Sequence, residues 1–152
     1  MKKTALYKIV QALIIAGMAV GLLLIYLIVT NNAMLGWRQM FITVNGDTRS
    51  CLSGALAVLA VLGCEYIAYT LFRMMRSLSL DPFVVSNVRA LRNMGFAALA
   101  VTALCLGTLF LIPVPLAVMA ALPIGMCGLF SLVLASVFEK AVAFKEENDL
   151  TV

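Results

Sequence analysis

Apolar residues gather in four long runs, at residues 9–29, 52–72, 95–112 and 116–138, and charged residues are almost confined to the segments between them. A helix rises 1.5 Å per residue, so about 20 residues cross a hydrocarbon core about 30 Å thick. Inside lipid every backbone N–H and C=O must be satisfied within the protein, which makes a helix the natural form for each run. The pattern therefore predicts an all-α, polytopic membrane protein in which residues 1–152 form a single domain with four transmembrane helices.

The connections differ in kind. Residues 30–51 form the longest loop. Within it Trp37 suits an interfacial anchor, and residues 40–44 followed by Asn45-Gly46 fit a short surface strand and turn as well as an irregular loop. Pro113-Val114-Pro115 is so short a link that the third and fourth helices must form an antiparallel hairpin. In the connection at 73–94, Asp81 is a natural N-cap and Pro82 occupies the favoured first helical position. From there a helical pattern runs to Ile112, about 46 Å at 1.5 Å per residue and longer than the hydrocarbon core. The fourth helix likewise continues into a charged tail at 139–152, and Pro123 should kink it. Both helices should thus extend beyond the membrane.

Charge sets the orientation. With the N-terminus inside, Lys2, Lys3, Lys8, Arg73, Arg76, Arg89, Arg92, Lys140 and Lys145 fall on the cytoplasmic side and only Arg38 and Arg49 outside. That imbalance predicts cytoplasmic N and C termini and a multi-pass protein of a bacterial cytoplasmic membrane. The same placement argues against reading the net charge of +4 as a nucleic-acid footprint, because the basic residues sit singly at the ends of apolar runs. Composition agrees: 64% of residues are hydrophobic and 12% charged, where soluble domains hold about 45–50% and about 25%. The opening Met1-Lys2-Lys3 resembles a secretory signal, but the 9–29 run exceeds an ordinary cleaved segment, which predicts a retained first helix.

Little in the sequence carries chemistry. Without histidine, Ser–His and Cys–His catalysis and His-based metal sites are excluded. Cys51, Cys64, Cys105 and Cys127 show no paired spacing and read as small packing residues. No cofactor, metal site or enzymatic activity is expected. Small residues at close-packing intervals, Gly17 and Gly21 on the first helix and Ala117, Ala121 and Gly125 on the fourth, read as packing faces within the chain. Glu65 is the exception among the apolar runs. A charged carboxylate at the bilayer centre costs about 2.5–3.5 kcal/mol, so it should face the bundle interior. Thr102, Ser131, Ser136 and Tyr69 are its candidate hydrogen-bond partners. Its structural reading is a carboxyl joining helices; its functional reading is a proton-linked site.

Two stretches resemble a known family. The first is Asp81-Pro82-Phe83 continuing through Asn87-Val88-Arg89-Ala90-Leu91-Arg92-Asn93. The second is the tail from Phe138-Glu139 through Glu146 and Glu147 to Leu150-Thr151-Val152. Both are similar to DUF2975, a family of bacterial four-helix membrane proteins of unknown function. Asn93 stands where that pattern commonly has another basic residue, so the basic stripe is weaker here. The resemblance implies an inner-membrane protein often encoded beside a small helix-turn-helix regulator, and hence a partner of that kind at the cytoplasmic face.

These readings give two functional expectations. In the first, the protein is a non-enzymatic binding or sequestering partner for a helix-turn-helix regulator, without contacting nucleic acid itself. Its partner-binding residues would be Asp81, Pro82, Phe83, Asn87, Arg89, Arg92, Glu146, Glu147, Leu150 and Thr151. In the alternative, the protein is a small proton-coupled transporter that uses Glu65.

Overall fold

The computed structural model describes residues 2–30, 48–78, 85–111 and 115–150, and all of them are helical. They form α1 (Lys2–Thr30), α2 (Thr48–Leu78), α3 (Val85–Leu111) and α4 (Pro115–Leu150). Each contains a segment long and apolar enough to cross a membrane: Tyr7–Thr30, Leu52–Ser77, Val85–Leu111 and Ala117–Lys145. The short strand considered at 40–44 and the anchor Trp37 lie outside the described residues. Pro123 sits inside α4, which continues through it.

The helices pack only on their neighbours in the chain. Among the described residues α1 touches α2, α2 touches α3 and α3 touches α4, with no contact between α1 and α4. The four therefore make an open, up-and-down layer rather than a closed ring. Within it α3 is an inner helix and α1 an edge held by α2 alone.

The core is built from small side chains. Ala98, Val101, Ala121 and Ala135 are buried, whereas Leu13, Leu22, Phe110, Met126 and Phe130 face outward. Lipid tails solvate large apolar side chains, so nothing drives these inward, and helices associate where small residues let backbones approach. Gly95 and Gly128 mark that approach. A Cβ on Gly95 would lie 2.6 Å from Leu132 Cδ2 and 3.0 Å from the Gly128 carbonyl oxygen, and one on Gly128 would lie 2.9 Å from Ala98 Cβ. Two hydroxyls tie the same pair of helices. Ser131 Oγ donates to the Leu91 carbonyl at 2.9 Å. Thr102 Oγ1 donates to the Ala98 carbonyl at 2.9 Å and lies 3.4 Å from that of Ala121.

The Leu91–Ser131 contact also fixes the register of this hairpin. Val85 lies six residues before Leu91 and so stands level with about residue 137, while α4 runs on to Leu150. At 1.5 Å per residue α4 overhangs the start of α3 by about 20 Å.

Candidate functional site

The alternation of the helices brings Lys8 of α1, Arg73 and Arg76 of α2, Arg89 and Arg92 of α3, and Lys140 and Lys145 of α4 to one end of the layer. At this basic end the chains of α2, α3 and α4 pack firmly. Met75, Val88, Leu91 and Val142 are buried, together with the polar Asn87 at 2% exposure. Above this packing, Arg92 Nη2 donates to Glu139 Oε2 at 2.8 Å, with the two side chains 49% and 58% exposed. The ion pair links α3 to α4 where the hairpin opens, opposite the Pro113–Pro115 link.

The expected partner-binding residues divide into groups. Arg89 and Arg92 are both exposed on α3, as their spacing of three predicts. Asn87 is buried on α3. Glu147 is exposed on α4, and Glu146 and Leu150 are helical residues of the same overhang. Asp81, Pro82, Phe83 and Thr151 lie outside the described residues. Two residues outside the expected partner-binding set also belong at this end. Glu139 is the partner of Arg92, and Phe144 stands 67% exposed on the overhang of α4.

Glu65 occupies a second, separate place. Its carboxyl lies against Gly21 of α1, so closely that a Cβ on Gly21 would overlap Oε1. A side chain at Gly21 would displace the Glu65 carboxyl, the far end of α2's flexible side chain. Gly17, one turn away, has nothing within 4 Å of where its Cβ would be. Of the expected close-packing pair on α1, Gly21 alone meets a neighbour.

The proposed hydrogen bonds of Glu65 are not made. Thr102, Ser131 and Ser136 direct their hydroxyls to the backbone carbonyls of Ala98, Leu91 and Val133. Thr102 and Ser131 stitch α3 to α4, whereas Glu65 faces α1. Among the described residues its carboxylate has neither a hydrogen bond nor an ion pair. The expectation of a carboxyl joining helices through hydrogen bonds is thus replaced by a carboxyl packed edge-on against a glycine.

Comparisons with known proteins bear on the whole chain. Neither a search of curated proteins nor one of solved structures found a match. One family profile, described as a protein of unknown function (DUF2975), matches residues 11–152. That span takes in α2, α3, α4, most of α1 and Glu65, and the chain belongs to the DUF2975 family.

Proposed function

We propose that this protein is a non-enzymatic membrane anchor for a soluble protein, which it holds at the basic end of the layer. The observation that carries this reading is the stitched α3–α4 hairpin with its α4 overhang. Gly95 and Gly128 bring the two backbones together, Ser131 and the Arg92–Glu139 pair fasten them, and α4 then projects about 20 Å past α3. A helix that overhangs its neighbour and carries an exposed aromatic, Phe144, has the form of an anchor for a groove on a partner. Exposed Arg89, Lys140 and Glu147 around that end supply charges that select the partner and its orientation.

The gathering of Lys and Arg at this end supports a position on the cytoplasmic side of a bacterial membrane, by the rule that these residues flank spans on that side. The partner we assign is a small helix-turn-helix transcriptional regulator, on the strength of the family resemblance. The protein would then act by sequestering the regulator at the membrane. The test is co-purification of the full-length chain, solubilised in a nonionic detergent, with the regulator encoded beside it. Retention of that regulator supports the assignment, and its passage through unbound overturns it.

A second reading, a small proton-coupled transporter, is favoured by one observation, the unpaired carboxylate of Glu65. It would be supported by proton-driven solute uptake into proteoliposomes that Glu65→Gln abolishes.

A further inference from the structure

We infer that the α1–α2 seam at Glu65 is a binding site for a lipophilic cation that enters from the bilayer. Glu65 is the sole Asp, Glu, Lys or Arg within the four apolar runs. Its carboxylate finds no hydrogen-bond or ion-pair partner among the described residues, and the side chain stays partly accessible. An acidic group in a medium of low dielectric is stabilised by an opposite charge, and no described basic residue of this chain is paired with it.

The surroundings define the rest of the ligand. Gly21 keeps the α1 side of the seam low, so the carboxyl is not covered by a side chain there. On α2, Leu62, Tyr66 and Tyr69 lie on the exposed side of Glu65, each about half accessible. Tyr69 is one helical turn from Glu65 and Tyr66 the next residue along, so a cation at the carboxylate comes within reach of aromatic faces. Because α1 is held by α2 alone, this side of the seam borders lipid rather than a third helix. A small hydrated ion would have to shed its water for a single carboxylate. No group of three metal-ligating side chains exists among the described residues, whereas calcium takes six to eight oxygen ligands. A delocalised or quaternary cation with an apolar body carries little hydration to lose and fits the apolar and aromatic surroundings.

This site is independent of the docking surface at the basic end, and its test uses a different readout. Equilibrium binding of tritiated tetraphenylphosphonium to the full-length protein in dodecyl maltoside should be saturable. Uncharged tetraphenylmethane, of the same shape, should not compete. Glu65→Gln should weaken binding about tenfold or more, as removal of one member of a close charge pair does. Glu65→Asp should lose only a few-fold, because the charge stays, and Cys127→Ala on α4 should bind like the parent. Gly21→Leu, which fills the space of the carboxyl, should also weaken binding. The inference is overturned by non-saturable binding, by equal competition from the neutral analogue, or by a folded Gln variant that binds like the parent. Should the Gln variant not fold, the Asp variant and the neutral competitor decide it.

Discussion

Arg92 on α3 and Glu139 on α4 meet at 2.8 Å across the open end of their hairpin, 47 residues apart in sequence. Both side chains are about half exposed, so the pair is screened and contributes about 0–1 kcal/mol. Its role is to hold two helix ends in one arrangement rather than to hold the fold. Arg92→Gln and Glu139→Gln should each lower thermal stability in detergent slightly, and their double-mutant coupling should stay below about 1 kcal/mol. A coupling of several kcal/mol would show the pair to be a main support of the hairpin.

The α3–α4 contact itself should be far more sensitive. Gly128→Leu and Gly95→Leu would force the backbones apart, and overpacking of this kind costs about 1–3 kcal/mol, occasionally more. Gly107 provides the contrast, because a Cβ there would meet only Leu56 Cδ1 at 3.9 Å, an ordinary contact. Melting of purified variants should therefore rank Gly107→Ala near the parent and the two leucine variants well below it. Equal melting of all three would contradict the close approach.

For Glu65 the structure changes the expected response to mutation. A hydrogen-bonded carboxyl would make Glu65→Leu destabilising, but here no hydrogen bond is lost. A leucine in place of a carboxyl also suits an apolar span better, because polar ionisable side chains are costly there. Glu65→Leu should then melt no lower than the parent in detergent. A clear drop would restore the reading of Glu65 as a hydrogen-bonding link between helices.

Orientation has a direct assay. In a background without the four native cysteines, single cysteines at Asn45 should react with an impermeant thiol reagent from outside intact cells. Cysteines at Ser79 and Glu147 should react only after the membrane is opened. External labelling at Ser79 would refute the inside placement of the basic end.

Helix number and the α3–α4 hairpin were legible because lipid imposes a length on each span and Pro113-Val114-Pro115 leaves little chain for a turn. The hairpin also makes Arg92–Glu139 findable in retrospect. Arg92 lies 21 residues before Pro113 and Glu139 lies 24 after Pro115, so folding the sequence at the prolines brings opposite charges to the same end of the hairpin. The partner of Glu65 was not legible. Its candidate hydroxyls on α3 and α4 were chosen by chemistry, whereas the side of α2 from which Glu65 projects decides that it meets α1. Apolar residues cover nearly the whole circumference of each span, so the pattern does not reveal which face meets which helix. The same lack of a marked face leaves the burial of Asn87 and the exposure of Phe144 unreadable from the pattern.

The central claim is that the basic end, through α3 and the overhang of α4, holds a soluble regulator. Quantitative pull-down of the proposed partner, a small helix-turn-helix regulator, by the parent and by a Phe144→Ala/Arg89→Glu variant, tests it most directly. Both changes are at exposed positions away from the Gly95–Gly128 contact, so the hairpin should remain intact. The account predicts that the parent retains the regulator and that the variant loses it, with unchanged melting and membrane insertion. No retention by the parent, or equal retention by both, would contradict it.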